Sequence, residues 1–322
     1  MATMTDTDTS QGRQTEPALR EANRVVTQVI ENVEEVIVGH HAEIEHVLTA
    51  MLGRGHVLLE DVPGVGKTML ARAIAASFEG TFKRVQFTPD LLPTDVTGVN
   101  VYNQQSETFE FQPGPIFGNV VLGDEINRAP PKTQSALLEA MEEGQVTVDG
   151  TTRAVPKPFT VIATQNTVEQ NRTYDLPMAE LDRFTKKIHL GYPDQVEEAE
   201  MLGRVVGRHP IEDLASVTTL EEFQRARDTV ADFDVEQPLR DYATRLARYT
   251  REHAQLGVSP RGSLALLRAS QGRALLDGRD YVVPDDLQTE APSVLAHRVR
   301  PDSAEQTGRD VVRAALDSVP VE

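Results

Sequence analysis

Hydrophobic and polar residues follow two different patterns along this chain, and the pattern changes near residue 195. In the first part, short apolar runs occur at 56–60, 85–87, 120–122 and 159–163, with helical or irregular stretches between them. Short apolar runs bounded by turn residues predict buried strands. Because strands that alternate with helices form parallel sheets, we expect an α/β fold with a parallel sheet and helices on both of its faces.

Apolar residues at helical spacing predict the helices that surround this sheet. These helices are 21–36 and 41–52 before the first strand, then 69–78 and 131–143.

Two further stretches interrupt the alternation of strands and helices. Residues 146–155 predict a hairpin around Asp149-Gly150, and 99–117 is polar and aromatic without a clear helical pattern. We expect both stretches to be insertions on the sheet scaffold.

After about residue 193, helical patterns follow one another and no strand is predicted. The predicted helices are 195–206, 219–233, 238–255, 260–276, 284–299 and 302–316. Thr219 and Glu222 have the spacing of a capping box, while Pro260 and Pro284 stand where helices begin. We therefore divide the chain into a flexible polar tail (1–19), an α/β core (20–195) and an all-helical domain (196–322).

Composition narrows the class of protein. Of 322 residues, 39% are hydrophobic and 25% charged, which is typical of a globular chain, and there is no cysteine. Disulfides, cysteine-ligated metals and thiol nucleophiles are thereby excluded. No apolar run approaches the length of a membrane span, and residues 1–14 do not resemble a secretion signal. We expect a cytoplasmic protein without a membrane anchor.

The charge is strongly acidic. Fifty acidic and 32 basic residues give −18, which opposes attraction to phosphate backbones and disfavours nucleic acid as a partner. Only six of the basic residues are Lys, and the other 26 are Arg. This bias resembles proteins of salt-loving archaea, in which molar salt screens the repulsion between carboxylates. Ordinary drift of surface charge is the alternative explanation.

The segment 60–68, Glu-Asp-Val-Pro-Gly-Val-Gly-Lys-Thr, lies between the first predicted strand and its helix. A P-loop requires flexible backbone at Gly64 and Gly66, an ammonium at Lys67 for the β- and γ-phosphates, and a hydroxyl at Thr68 for magnesium. The first glycine of the general pattern is Asp61 here. The alternative is an ordinary glycine turn, but the flanking strand and helix favour a nucleotide site.

Polar residues follow two further strands. Asp124 and Glu125 end the run 119–125, where the first can organise magnesium and the second can polarise a water molecule, as in a Walker B element. Asn166 ends the next predicted strand and could hold that water beside the γ-phosphate. Without the P-loop, an acidic pair would more commonly begin a solvated loop, and Asn166 could equally form a turn.

Several segments together resemble the MoxR family of AAA+ ATPases. They are 62–68, 86–98 (Gln-Phe-Thr-Pro-Asp-Leu-Leu-Pro-Thr-Asp-Val-Thr-Gly), 124–134 (Asp-Glu-Ile-Asn-Arg-Ala-Pro-Pro-Lys-Thr-Gln), 163–166, 181–184 (Leu-Asp-Arg-Phe) and 259–262 (Ser-Pro-Arg-Gly). The resemblance covers about residues 25 to 300. Asp61 in the P-loop and Gly123 before the acidic pair depart from the usual pattern.

The resemblance implies a role for each matching residue. Gly39 and His40 are similar to a segment that packs near adenine, Asn166 to sensor 1, Arg183 to an arginine finger for a neighbouring subunit, and Arg261 to the sensor 2 arginine that couples the helical lid to the γ-phosphate. The implied ligands are ATP and Mg²⁺. The implied nucleotide contacts are Gly39, His40, Pro63, Gly64, Val65, Gly66, Lys67, Thr68 and Met69, and Thr68 and Asp124 would hold the metal.

The family also implies an activity and partners. We expect ATP hydrolysis in a ring, as a hexamer, that acts like a chaperone in the maturation of protein clients or in metal-cofactor insertion, with a von Willebrand A-domain protein as partner. Two alternatives stay open. One is a magnesium-chelatase-like or DNA-acting AAA+ ring, and the other is an assembly scaffold that binds ATP but hydrolyses it slowly.

Overall fold

A computed structural model describes residues 11–166, 174, 176–207 and 209–321. Its strands are β1 (Val57–Asp61), β2 (Phe82–Gln86), β3 (Gly98–Asn103), β4 (Thr108–Pro113), β5 (Val120–Asp124), β6 (Gln145–Val148), β7 (Thr151–Ala154), β8 (Thr160–Asn166) and β9 (Lys186–Ile188). Its helices are α1 (Gln11–Glu34), α2 (His41–Leu52), α3 (Lys67–Ser77), α4 (Pro93–Thr97), α5 (Pro131–Glu143), α6 (Met178–Leu181), α7 (Gln195–Val205), α8 (Leu220–Ala231), α9 (Gln237–Glu252), α10 (Pro260–Leu276), α11 (Pro284–Leu295) and α12 (Gly308–Ser318).

The predicted parallel sheet is confirmed. Five strands pair in the order β2-β5-β8-β1-β9, and every pair is parallel. Strands β1, β5 and β8 are buried along almost their whole length, which matches their apolar runs. Asp61, Asp124 and Asn166 are the last residues of these three strands. Because the carboxyl ends of parallel strands share one edge, the sheet gathers the predicted site residues there.

Two hairpins extend from the sheet. The predicted hairpin consists of β6 and β7, and its turn residues Asp149 (φ 49°) and Gly150 (φ 78°) both adopt the left-handed conformation that such tight turns need. The stretch 99–117, which we predicted to be an insertion without a clear helix, contains most of the antiparallel pair β3 and β4. Asn100 Nδ2 donates to Asp149 Oδ2 at 2.8 Å, so the two hairpins touch.

The C-terminal region is helical, as predicted. Among the described residues after Ile188, the chain forms α7 to α12 and no further strand. The capping box of α8 is present, with Thr219 Oγ1 accepting from the N–H of Glu222, and α10 and α11 begin at Pro260 and Pro284. None of the helices in the described ranges is long and apolar enough to cross a membrane.

The first helix begins earlier than we predicted. We assigned residues 1–19 to a flexible tail, but α1 already includes residues 11–19, while residues 1–10 lie outside the described ranges. Leu19 packs against the hydrophobic core, and this contact favours helix in the second half of the predicted tail. Farther along α1, Asn23 Nδ2 donates to the carbonyl of Leu275 in α10 at 2.7 Å.

Two hydrophobic cores cover the two faces of the sheet. One core combines α1, α2 and α3 with the side chains of Val57 and Leu59, and it continues without a break into α8 to α12. The other core packs α5 and both hairpins against Leu58, Val121 and Val161. The C-terminal helices therefore rest on the N-terminal helices, and they share a core with one face of the sheet.

Candidate functional site

The loop between β1 and α3 has the conformation that phosphate binding requires. Gly64 (φ 91°) and Gly66 (φ 89°) both adopt backbone conformations that other residues rarely reach. A Cβ at either position would meet no atom within 4 Å, so there is space for a side chain. Glycine is therefore required by the backbone conformation alone. Helix α3 starts directly after Gly66. Its free N–H groups therefore point toward the loop and favour an anion there.

Lys67 lies at the base of this loop. It is 7% exposed, and its Nζ donates to the carbonyls of Asp61 and Val62 at 3.0 and 3.1 Å and to Asn166 Oδ1 at 3.2 Å. Burial lowers the pKa of Lys67, whereas the carboxylates of Asp61, Asp124 and Glu125 oppose that shift. An ammonium held by neutral carbonyls can exchange these partners for phosphate oxygens.

Asp61 stands where the general P-loop pattern has its first glycine, and the structure gives it a partner outside the loop. Its Oδ1 accepts from the N–H of Val62 at 2.9 Å, and its Oδ2 accepts from the N–H of Gly191 at 2.7 Å. Gly191 (φ 74°) lies between β9 and α7. The carboxylate therefore ties the start of the loop to the segment that leads into the C-terminal helices.

Asp124 is held by two donors from neighbouring strands. Thr164 Oγ1 in β8 donates to Asp124 Oδ1 at 2.6 Å, and Arg84 Nη2 in β2 donates to Asp124 Oδ2 at 2.6 Å. Carboxylate and hydroxyl oxygens are the ligands that Mg²⁺ prefers, so Asp124 and Thr68 fit that ion chemically. The half-exposed Arg84 already supplies a positive charge to Asp124. The carboxylate of Asp124 is thus held in place from both neighbouring strands.

Glu125 adopts an unusual backbone conformation and has three donors. Its φ of 57° and ψ of 49° lie in the left-handed region, which is uncommon outside glycine and occurs frequently at functional sites. Asn166 Nδ2 donates to Oε1 at 2.7 Å, while Gln86 Nε2 and Arg128 Nη1 donate to Oε2 at 2.9 and 2.6 Å. The side chains of Lys67, Asn166 and Glu125 therefore form one continuous hydrogen-bonded chain.

The two arginines implied by the family lie together. Arg183 Nε is 3.1 Å from Glu142 Oε2, and Arg261 Nη1 is 3.2 Å from Glu142 Oε1. Ser259, which caps the helix that carries Arg261, donates to Asp182 Oδ2 at 2.9 Å. One carboxylate at the end of α5 thus holds both guanidinium groups in the single chain.

These arginines lie at the opposite edge of the sheet from the P-loop. Glu142 follows Met141, whose carbonyl is 3.0 Å from Nε2 of His56, the residue just before β1. Lys67 follows the other end of β1, and five residues of strand span roughly 16 Å. We expected Arg261 to couple the lid to the γ-phosphate, but the structure brings it to Arg183 instead of the P-loop of its own chain. The reason is that α10 begins beside Asp182, at the amino edge of the sheet.

Gly39 and His40 precede α2. A Cβ on Gly39 (φ 79°) would come within 2.3 Å of Glu197 Cδ, so this glycine allows α7 to approach closely. His40 is buried, and its Nδ1 lies 3.7 Å from Glu43 Oε2. The segment therefore contacts the start of α7, and its place beside adenine stays a prediction.

In the P-loop, Pro63 is exposed, while Val65 and Met69 pack against the core.

The sequence did not single out four residues that organise the site: Arg84, Gln86, Thr164 and Glu142. Arg84 and Gln86 reach the acidic pair because β2 pairs with β5 in a register that places Gln86 opposite Asp124. The polar residues Lys83, Arg84 and Gln86 were a signal that this strand is largely exposed, but only the strand order shows which carboxylates Arg84 and Gln86 meet.

Comparison with known proteins agrees with this geometry. Residues 56–186 match the ATPase family associated with various cellular activities (AAA), and residues 246–315 match the AAA lid domain. The chain is 53% identical over 274 residues to YeaC of Bacillus subtilis, covering 84% of this chain and 86% of that protein. It is 42% identical over 283 residues to chaperone MoxR1 of Mycobacterium tuberculosis, covering 84% and 74%.

Among solved structures, a candidate ATPase of Cytophaga hutchinsonii superposes with a TM-score of 0.90 at 35% identity, covering 97% of this chain and 99% of that one. The match therefore extends over both the sheet and the C-terminal helices. The sequence relatives, the matched family regions and this fold identify the chain as a member of the MoxR family of AAA+ ATPases.

Proposed function

We propose that this chain hydrolyses ATP at sites formed between neighbouring copies in a ring. The supporting observation is the separation of two groups in one chain, the P-loop with its acidic pair at one edge of the sheet and Arg183 with Arg261 at the other. A single copy cannot bring both groups to one nucleotide. Copies arranged head to tail can, because each presents its arginines to the next P-loop.

In this proposal, Lys67 and the N–H groups at the start of α3 hold the phosphates of ATP. Thr68 and Asp124 would hold Mg²⁺, which would neutralise charge on the phosphate oxygens. Glu125 takes the proton of a water molecule whose oxygen attacks the γ-phosphorus, while the bond to the β–γ bridging oxygen breaks. Asn166, 2.7 Å from Glu125, positions the carboxylate and the water.

Glu125 is also restrained by Gln86 and Arg128. These two donors occupy Oε2, while Asn166 donates to Oε1, so both oxygens that could take a proton from water are already engaged. We therefore propose that the donors on Oε2 withdraw when ATP and the neighbouring copy are in place. Glu125 can then accept the proton. The same assembly step releases Arg183 and Arg261 from Glu142, so that both can reach the phosphates of the adjacent nucleotide.

The β3–β4 hairpin supplies a surface for a protein client. Tyr102 and Phe109 are 50% and 72% exposed, and their ring centroids are 5.3 Å apart. Exposed aromatic side chains of this kind mark protein contact sites. The relative MoxR1 is named a chaperone. We propose that a hexamer acts in the cytoplasm on protein clients, in maturation or metal-cofactor insertion, with a von Willebrand A-domain protein as partner.

The test compares two variants of the nucleotide site. Lys67→Ala should lose ATP binding, because it removes the ammonium that attracts the phosphates. Glu125→Gln should retain binding but lose turnover, because it removes the base. Glu221→Gln, an exposed carboxylate on α8, serves as the matched control. Phosphate release and binding of a fluorescent ATP analogue are measured together. Equal turnover in wild type and Glu125→Gln would contradict the proposal.

A further inference from the structure

A cavity of 810 Å³ lies between the α/β core and helix α8 of the C-terminal region. Its walls are the end of α5, both ends of the β6–β7 hairpin, the segment before β8, and α8. This volume is in the range of small-molecule sites. The cavity lies at the amino edge of the sheet, far from the P-loop, and the ATP reaction proposed above makes no use of it.

The cavity is lined by a buried cation, Arg227, that makes no hydrogen bond or ion pair with the residues that the structure describes. Arg227 is only 5% exposed, and its Nε is fully enclosed. Burial, together with the nearby Arg54, lowers the pKa of Arg227 to about 10, an effect that Asp228 partly offsets. The group is therefore still a cation at neutral pH. A buried charge without a partner is costly, and an anion would relieve that cost.

The other charged groups in the cavity leave this cation unbalanced. Arg54 Nη2 and Asp228 Oδ1 are 2.7 Å apart and neutralise each other. His56 is neutral near pH 7, because burial lowers its pKa to about 4. Glu142 is engaged by Arg183 and Arg261. What remains is two cations, Arg227 and Lys157, against the single carboxylate of Glu143.

We propose that this cavity binds a carboxylate and that Arg227 is its anchor. A guanidinium offers two parallel N–H donors that match the two oxygens of a carboxylate. One surplus positive charge balances a singly charged group, whereas a doubly charged phosphate would leave excess negative charge beside Glu143. The proposal goes beyond ATP hydrolysis and does not depend on it.

The carboxylate has two potential sources. One is a free small-molecule carboxylate. The other is an Asp or Glu side chain of a second copy, because the cavity shares Arg54, His56 and Glu142 with the adjoining cavity that contains Arg183 and Arg261. That adjoining surface is the one we propose to face the neighbouring copy, so this second source, unlike the site itself, rests on the proposed ring. The chain carries 50 acidic side chains of the required chemistry.

Binding of a free carboxylate is tested with butyrate, a singly charged carboxylate, on the full-length chain, by calorimetry and thermal melts against sodium chloride at equal ionic strength. Arg227→Gln and Arg227→Lys are compared with Arg225→Gln, which changes an exposed arginine on the same helix. Lysine keeps the charge but lacks the paired donors, and it provides a second variant should glutamine disturb the fold. We expect saturable binding in wild type and Arg225→Gln, and affinity about tenfold or more weaker in both Arg227 variants.

Binding of a second copy is tested by sedimentation of the same proteins with ATP. If a neighbouring side chain fills the cavity, Arg227→Gln and added butyrate should each weaken assembly, while Arg225→Gln should leave it unchanged. A free ligand would instead give saturable butyrate binding with unchanged assembly. Either result supports the site and identifies the source of the carboxylate. The proposal is overturned if Arg227→Gln matches wild type in both butyrate binding and assembly.

Discussion

Asn166 Nδ2 donates to Glu125 Oε1 at 2.7 Å, across the carboxyl ends of two adjacent strands. The other end of the same amide, Oδ1, accepts from Lys67 Nζ at 3.2 Å. One neutral side chain therefore connects the residue proposed to bind phosphate with the residue proposed to accept a proton. Because β5 and β8 are buried and paired in register, the strands themselves fix this contact.

Asn166→Ala should lower the turnover number for ATP about a hundredfold with little change in ATP affinity, because the carboxylate of Glu125 loses the donor that orients it. Steady-state phosphate release and equilibrium binding of an ATP analogue measure the two effects. Asn119→Ala, which removes a buried amide at the other edge of the sheet, is the control for loss of stability. Unchanged turnover in Asn166→Ala would rule out the positioning role.

Glu142→Gln should release Arg183 and Arg261 in the single chain without destabilising it by more than about 1 kcal/mol, since half-exposed ion pairs contribute little. If the arginines act on a neighbour, the variant should hydrolyse ATP at least as fast as wild type. Glu143→Gln, the adjacent exposed carboxylate, is the matched control. A large fall in turnover specific to Glu142→Gln would show that this carboxylate assists catalysis.

His56 predicts a specific pH dependence of stability. Its Nδ1 accepts from the N–H of Val161 at 2.9 Å, and burial lowers its pKa to about 4. Between pH 6.5 and 4, the imidazole of His56 binds a proton more tightly in the unfolded chain than in the folded one. The stability that neutral His56 contributes is therefore complete above pH 6.5 and is lost as the pH falls from 6.5 to 4. The loss should approach about 3 kcal/mol at pH 4.

Denaturant unfolding at pH 7 and pH 5 tests this dependence. His56→Gln should lose less stability than wild type between those two values, because it has no proton to take up. His297, whose pKa burial also lowers, contributes in the same direction and is retained in both proteins. His253→Gln changes an exposed histidine and should behave as wild type. The same pH response in His56→Gln and wild type would contradict the assignment.

A charge of −18 with few lysines predicts dependence on salt. Screening weakens repulsion between surface carboxylates, so we expect the melting temperature to rise from low to molar potassium chloride. Thermal melts across a salt series measure this effect, with potassium sulfate at equal ionic strength as a comparison for ion-specific effects. A melting temperature that stays flat or falls would reject the proposed adaptation to high salt.

Local sequence patterns predicted most of the fold, but they did not predict features that depend on contacts between residues far apart in the chain. The apolar runs predicted four of the five sheet strands. They did not predict β9, because Lys186 and Lys187 make it look like an exposed loop. Lys186 is in fact fully buried and forms an ion pair with Glu290 in α11, more than a hundred residues away. A buried lysine cannot be recognised until its partner is known.

The same limit applied to the candidate site. Motifs identified Lys67, Asp124 and Glu125, because their chemistry depends on short segments of sequence. The direction of Arg261 depends on how the helical region is placed on the sheet, and no local pattern contains that information. Likewise, the contact of Asp61 with Gly191 joins residues 130 positions apart. Sequence therefore predicted which groups are present, and the structure was needed to show which edge each one occupies.

The central claim is that one copy's arginines complete the nucleotide site of the next. Arg183→Ala should bind ATP but hydrolyse it roughly three to five orders of magnitude more slowly. Lys67→Ala should also be inactive, because it lacks the phosphate-binding ammonium. The most direct measurement is phosphate release after these two inactive variants are mixed, with sedimentation used to verify that mixed assemblies form. We predict partial recovery, since some interfaces then combine an intact P-loop with an intact Arg183. No recovery in verified mixed assemblies would contradict the account.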